Sequence, residues 1–320
     1  MTSQRILMNS VFPSHRHSQN TQLDELAHLV GNTPLFQIQN LNPNPRVKIF
    51  AKLEWQQFGG SVKARAAYRI LQHAIYTGEL TPSKRLLDAS SGNTGIAYAI
   101  FCAVAKIGLT LCIPENASQE RKHILKTLGA EVIYTSPFES TDGSQDKAKE
   151  LAAENPDQYF YADQYNNDNN WQAHYFGTAS EIIEQTEQQI THFISGLGTT
   201  GTFSGTGKRL KEFNEDIRLI ALQPETALHG MEGWKHLETA RVPGIYNSKL
   251  ADEIRLADTM AAYETMKLAA NKEGLLLSPS AAANLNGALK LAEELDEGVI
   301  VTVFADDASK YGEVVKSLYK

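Results

Sequence analysis

Cysteine is nearly absent from the 320-residue chain, which has two. That excludes a disulfide framework and suits a reducing compartment. Both Cys102 and Cys112 fall in apolar stretches and read as plain core residues. An excess of basic charge is missing too, since 30 Lys and Arg stand against 37 Asp and Glu for a net charge of −7. Without a basic face, nucleic acid and anionic membrane are excluded as partners, and a small molecule is expected instead. No hydrophobic run is long enough to span a bilayer. The apolar region 95–105 ends at Lys106, well short of the roughly 18 residues a span needs. Residues 1–22 form a polar arm with neither an apolar stretch of signal-peptide length nor a cleavage site behind one, so the expected location is cytoplasmic. His15 and His17 in that arm lack an accompanying cysteine or carboxylate cluster, and no metal is expected. Internal repeats, low-complexity tracts and charge blocks are absent as well.

What the chain does contain is an alternation of short β-branched runs with longer helical segments. Strands are expected at 47–53, 86–89, 109–113, 131–135, 159–161, 192–194, 218–222 and 299–304. Most are apolar throughout, as in strands covered on both faces, so the sheets are expected to be mainly parallel. Helices are expected at 64–77, 95–105, 119–128, 144–154, 178–187, 260–271 and 281–295. The fold class is α/β. The polar, turn-rich stretch 163–170 reads as the join between two doubly wound α/β domains. The expected division is an arm at 1–22, mobile or lying on a partner subunit, a smaller domain at 46–165, and a larger one made of 23–45 plus 166–320.

In open α/β sheets ligands sit beyond the carboxyl ends of the strands, and three loops there are unusual. Gly59-Gly60-Ser61-Val62-Lys63 puts a lysine at the start of a helix. The positive end of the helix dipole disfavours the ammonium, which pushes the amine toward the neutral, nucleophilic form a Schiff base needs. Ser90-Ser91-Gly92-Asn93-Thr94-Gly95 is dense in short donors at a helix N-terminus, a seat for a carboxylate or phosphate. Gly196-Leu197-Gly198-Thr199-Thr200-Gly201-Thr202 can form a phosphate cradle from backbone N–H groups and hydroxyls. The last loop also matches the dinucleotide fingerprint G-x-G-x-x-G, with Glu225 placed as a ribose-binding acid. A nicotinamide-dependent oxidoreductase is therefore a rival. It leaves Lys63 and the Ser90–Gly95 loop without a role, whereas pyridoxal phosphate employs all three loops.

Taken in order, Gly31-Asn32-Thr33-Pro34-Leu35, Lys52-Leu53-Glu54, Ser61-Val62-Lys63, Ser91-Gly92-Asn93-Thr94-Gly95 and Pro114-Glu115-Asn116 with Glu120-Arg121 form a series. It continues through Gln164-Tyr165, His174 with Gly177-Thr178, the Gly198–Thr202 loop, and Asp306-Asp307 with Lys310-Tyr311. With these motifs the chain resembles, over most of its length, the cysteine synthase group (O-acetylserine sulfhydrylases) among the β-family of pyridoxal-phosphate enzymes. The resemblance implies the tryptophan-synthase-like fold, with the cofactor in the cleft between the two domains. It also implies that Lys63 carries the cofactor as a Schiff base and moves the Cα proton, and that Asn93 hydrogen-bonds the cofactor's phenolate oxygen. Gly198, Thr199, Thr200, Gly201 and Thr202 would hold the phosphate, and Ser280 would face the pyridine nitrogen. Ser90, Ser91, Gly92, Thr94 and Gln164 would take the substrate carboxylate, while Gly230 and Met231 lie in the loop that contacts the leaving group. The implied reaction is replacement of the β-substituent of an O-activated serine by sulfide, giving L-cysteine in a ping-pong cycle. O-acetylserine is the default donor, O-phosphoserine the close alternative, and a homodimer the implied assembly.

Within the same fold a serine or threonine dehydratase, a cystathionine synthase or an amine-using synthase stays open. So does a catalytically silent binding protein. Departures from the family pattern are Gln57-Phe58 before the lysine loop, Ala64 in place of an acid, and Ala282 in place of glycine. Losing an acid from an exposed first helical turn is expected to cost about 0.3–1 kcal/mol. Lys235, His236 and Arg241 are read as solvated surface charges rather than phosphate ligands, and Trp55, Trp171 and Trp234 as packing residues.

Overall fold

The computed structural model describes residues 21–318. His15, His17 and the expected arm as far as residue 20 lie outside the described residues. Among the described residues ten strands run in chain order: β1 (Leu35–Ile38), β2 (Val47–Leu53), β3 (Arg85–Ala89), β4 (Leu109–Pro114), β5 (Glu131–Thr135), β6 (Tyr159–Tyr161), β7 (His192–Gly196), β8 (Arg218–Pro224), β9 (Glu253–Ala257) and β10 (Gly298–Phe304). They form two sheets, a six-stranded one ordered β1-β2-β10-β7-β8-β9 and a four-stranded one ordered β5-β4-β3-β6. Every pairing is parallel except β1 with β2. The architecture is thus the expected α/β type.

Strand side chains alternate between faces, and each sheet is apolar on both. In β3, Leu86 packs with Ala67, Leu71, Tyr98 and Phe101 of the helices Lys63–Thr77 and Asn93–Ala105. Its neighbour Leu87 packs on the opposite face with Ala148 of the helix Ser140–Glu154. In the larger sheet, Ile194, Ile220 and Ile300 meet Ala281, Leu285 and Ala288 of the helix Pro279–Glu294. Phe193, Leu219 and Val301 face the other way, onto Phe203 and Leu210 of the helix Gly201–Phe213. Among the described residues no helix is long and apolar enough to cross a membrane.

One placement differs from the expected division at residue 46. β2 belongs to the larger sheet, because all seven of its residues pair in parallel register with β10, from Val47 beside Gly298 to Leu53 beside Phe304. The chain therefore crosses from the larger sheet to the smaller one after β2. Among the described strands and the α-helices of six residues or more, five were not expected from the sequence: β1, β9, and the helices Asp168–Ala173, Gly201–Phe213 and Gly312–Leu318. β1 spans only four residues. β9 lies at the sheet edge, and Ile254 and Leu256 alternate there with Glu253 and Arg255 in the reverse of a buried strand's pattern. The helix Gly201–Phe213 has three glycines, each about 1 kcal/mol worse than alanine in a helix interior. At Gly205 a Cβ would lie 1.9 Å from the Trp171 carbonyl oxygen, so close helix packing demands the residue that hides the helix from propensity.

Candidate active site

Four strands end at one place. β2 leads through the glycine loop to Lys63, β3 to the Ser90–Gly92 turn, β7 to the Leu197–Thr200 turn, and β10 to Ala305 and Asp306. Together they line a cleft of about 290 Å³ that receives Lys63, Ser90, Ser91, Gly92, Asn93, Thr94, Gln164, Gly198, Thr199, Thr200, Thr202 and Ser280. Gly201 stands just behind this wall as the first residue of its helix. Gly230 and Met231 do not line the cleft. Met231 is fully buried against Ala262 and Ala283, and the Gly230 amide donates to Thr259 Oγ1 at 3.1 Å. The same loop presents Glu232, Gly233 and Trp234 instead.

Burial is the leading cause that pushes the Lys63 amine below its ordinary value, opposed by the negative charge of Asp306. Lys63 is the first residue of its helix, whose preceding residue Val62 is held by a 2.8 Å bond from its amide to the Ala305 carbonyl. Strand β10 thereby fixes where the lysine begins. Across the cleft, Thr94 donates to Gln164 Oε1 at 2.7 Å, and Gln164 Nε2 donates to the Ala89 carbonyl at 3.1 Å. Ser90 Oγ accepts from the Gly95 amide at 3.1 Å, and a Cβ at Gly95 would lie 2.4 Å from the Ser90 carbonyl oxygen. The turn is tight because position 95 has no side chain.

The third loop has the features of a phosphate seat. Thr200 sits at φ +69°, and its buried hydroxyl has no hydrogen-bond partner among the described residues. Thr199 Oγ1 accepts from Asn170 Nδ2 at 3.1 Å, and Thr202 Oγ1 lies 3.3 Å from His174 Nε2. Burial and the charges of Arg65 and Lys63 hold His174 well below the usual imidazole range, so it is neutral. An orphaned hydroxyl at the N-terminus of a 13-residue helix fits a phosphate ester, which supplies acceptors for the hydroxyl and charge for the dipole. Opposite, Ser280 Oγ lies 3.3 Å from Ser278 Oγ, which caps the helix Pro279–Glu294 by accepting from the Ala281 amide. The donor set fits pyridoxal phosphate: an amine of lowered basicity, an amide, a phosphate seat and a neutral serine.

Several lining residues carry no role in the sequence reading. Asp306 follows β10 directly, so the strand-end rule that picked out the other loops reaches it too. Asn284 accepts from the Gly196 amide at 2.9 Å and donates to the Val303 carbonyl at 2.6 Å, tying β7 to β10. At the mouth, Arg121 pairs with Glu232 at 2.6 Å. Among the tryptophans, Trp234 lines the cleft as well as packing. Lys235 pairs with Asp142 and Arg241 with Asp146, while His236 Nδ1 meets Thr239 Oγ1. None of these three residues lines the cleft. Gln57 is buried, accepts from the Gly31 amide at 3.0 Å and donates to Glu54 Oε2 at 2.5 Å. Phe58 packs on Phe101. Ala64 is fully buried in the smaller core, which corrects the expectation of an exposed first turn: an acid there would be desolvated, and the dipole cost does not apply.

Such a cleft, framed by parallel strand ends and equipped with a lysine, an anion seat and short donors, defines a cofactor-dependent α/β enzyme. Residues 26–306 match the family described as pyridoxal-phosphate dependent enzyme. The chain is 41% identical to a cysteine synthase of Aquifex aeolicus over 308 residues, covering 94% of both chains. It is 36% identical to cysteine synthase B of Escherichia coli over 291 residues, 90% of this chain and 94% of that one. A solved cysteine synthase of Entamoeba histolytica superposes with a TM-score of 0.85 at 31% identity, covering 96% of this chain and 92% of that one. The chain belongs to the pyridoxal-phosphate dependent enzymes, and its fold is of the tryptophan-synthase-β type. The rival reading of the glycine-rich loop as a dinucleotide site is overturned, since that loop works in one cleft with Lys63 and the Ser90–Gly95 turn.

Proposed function

We propose that the chain is a cysteine synthase that replaces the acetate of O-acetylserine by sulfide to give L-cysteine. The observation that carries this reading is the convergence of Lys63, the Ser90–Gly95 turn and the Gly198–Thr202 loop on one cleft. Pyridoxal phosphate, when bound, supplies the electron sink that labilises the Cα proton and the β-substituent. Lys63 would hold the cofactor covalently, and its buried amine, whose basicity burial lowers, would take and return the Cα proton. The Gly198–Thr202 loop would hold the phosphate, which the unpartnered Thr200 hydroxyl supports. Asn93 would donate to the phenolate oxygen. Ser280 would face the pyridine nitrogen with a neutral hydroxyl. Ser90, Ser91, Gly92, Thr94 and Gln164 receive the substrate carboxylate, with the oriented Gln164 amide holding Thr94 in place.

Glu232 and Trp234, which line the cleft where Gly230 and Met231 do not, are the loop residues that would face the departing group. The acetate ester is preferred over a phosphate ester on charge. Arg121, the cation at the mouth, is already neutralised by Glu232, and Lys235 and Arg241 are held by Asp142 and Asp146. We further propose a cytoplasmic homodimer. The reduced, buried Cys102 and Cys112 support the compartment, and the family resemblance supports the assembly, which sedimentation would measure.

The deciding experiment follows the visible spectrum of the protein loaded with pyridoxal phosphate as O-acetylserine, O-phosphoserine and then sulfide are added. A cofactor band that O-acetylserine converts and sulfide restores, with cysteine formed, is expected. Lys63→Ala should abolish this cycle. Conversion by O-phosphoserine alone would overturn the donor, and absence of any cofactor band would overturn the reading.

A further inference from the structure

The structure assigns Asp306 and Lys310 the task of fixing which way the Asn93 amide points in the cleft; this rests on the cofactor reading above. An asparagine amide can turn over with little change of shape, exchanging its oxygen and its NH2 group. Here each end meets a charge of matching sign. Asn93 Nδ2 donates to Asp306 Oδ2 at 2.8 Å, and Asn93 Oδ1 accepts from Lys310 Nζ at 2.9 Å. A turned amide would set its oxygen against a carboxylate and its NH2 against an ammonium. Two charge-assisted hydrogen bonds would become two repulsive contacts.

Both charges are themselves held. Asp306 is buried, and its Oδ2 also accepts from the Tyr311 hydroxyl at 2.8 Å. Lys310 donates a further bond to the Gly60 carbonyl at 2.9 Å, which ties the glycine loop before Lys63 to the helix that Asn93 opens. With one Nδ2 proton given to Asp306, one remains, on a residue that lines the cleft beside Lys63. That proton is the donor the cofactor's phenolate oxygen would receive. Asp306 and Lys310 are therefore positioning residues, acting through Asn93.

The test compares wild-type protein with Lys310→Met, Lys310→Arg, Asp306→Ala, Asn93→Ala and the double variant Asn93→Ala/Lys310→Met, all loaded with pyridoxal 5′-phosphate. The readouts are the cofactor dissociation constant by equilibrium dialysis, the position of the visible band and the melting temperature. Lys310→Met and Asp306→Ala should each weaken cofactor binding about tenfold and move the band. Lys310→Arg, which keeps a cation with donors, should restore both. In the Asn93→Ala background, Lys310→Met should change neither any further. A wild-type band and affinity in Lys310→Met, or effects of the two single changes that add in full, would overturn the inference. Should Lys310→Met fail to fold, Lys310→Leu takes its place in the same comparison. A wild-type protein that binds no cofactor would overturn the parent reading itself, and separates that failure from this one.

Discussion

Four charged side chains meet out of water where Arg65 reaches back from the helix that Lys63 opens. Arg65 Nε lies 2.7 Å from Glu54 Oε2 and its Nη1 2.6 Å from Glu181 Oε1, while Lys52 Nζ lies 2.7 Å from Glu181 Oε2. Two cations balance two carboxylates, and removing one leaves an uncompensated buried charge. Arg65→Met should destabilise the fold by about 3–5 kcal/mol, as measured by urea unfolding. Burial opposes the charge of Glu181, but the bonds and charges of Arg65 and Lys52 outweigh it and hold that carboxyl well below its usual range. Folded Glu181 binds its proton less readily than unfolded Glu181. Its ionisation thus adds stability above the unfolded carboxylate value near pH 4.3, and that contribution is lost as the pH falls toward the folded value. The stability gap between wild type and Glu181→Gln should be full at pH 7 and shrink on acidification.

Asp88 behaves in the opposite sense. Burial pushes it up to about 8, against the opposing bonds from the Ala89 and Gln164 backbone and from the Tyr98 hydroxyl. The unfolded chain loses this proton near pH 3.9, so folding is penalised increasingly as the pH rises from there toward 8. Asp88→Asn removes the ionisation, keeps an acceptor for the Ala89 amide, and offers an N–H to Tyr98. Its advantage over wild type should be greater at pH 8 than at pH 5 by at least about 1 kcal/mol. Urea unfolding at the two pH values checks this, and a difference independent of pH would contradict it.

At the scale of elements, ends are decided by single side chains. Asp258 precedes the helix Thr259–Glu273 in an extended conformation and accepts from the Ala261 amide at 2.7 Å, and Gly274 closes the helix at φ +69°. Asp258→Ala should cost about 1 kcal/mol of stability and leave the cofactor band unmoved, because the residue lies away from the cleft. Elements with such local signals are the ones legible in the sequence. β10, β4 and β2 show as apolar runs because helices or other strands cover them, and β5 and β6 fall on the expected residues. β9 and the helix Gly201–Phe213 were not legible, since edge exposure reverses the one's pattern and close packing puts glycines in the other. The candidate site divides the same way. Lys63, Asn93 and the threonine loop are contiguous motifs at strand ends. Asn284 reaches the cleft only through contacts between segments distant in sequence, whereas Glu232 lies in the loop 228–233 that the family resemblance marks. Met231 shows the converse, a residue beside the site in sequence that the fold turns into the core.

Over the whole molecule, the cleft draws on both sheets, so whatever fills it joins them. Ion pairs already cross from the loop after β8 to the smaller unit: Arg121 with Glu232, Lys235 with Asp142, and Arg241 with Asp146. These pairs are partly exposed, and each is worth less than about 1 kcal/mol. A cofactor seated on Lys63 and Asn93 from one side and on the Gly198–Thr202 loop from the other would couple the units far more strongly. A ligand that binds only the folded state stabilises it by about 2.7 kcal/mol at a free concentration a hundredfold above its dissociation constant. Stripping pyridoxal phosphate should therefore lower the melting temperature by several degrees, and restoring it should raise the temperature in proportion to the logarithm of its concentration. Thr200→Val leaves the loop's backbone N–H groups in place but removes the unpartnered hydroxyl, so it should shift that titration to higher cofactor concentration without altering the cofactor-free melting temperature by more than a degree or so. A melting temperature indifferent to the cofactor would mean that the group does not bridge the two sheets.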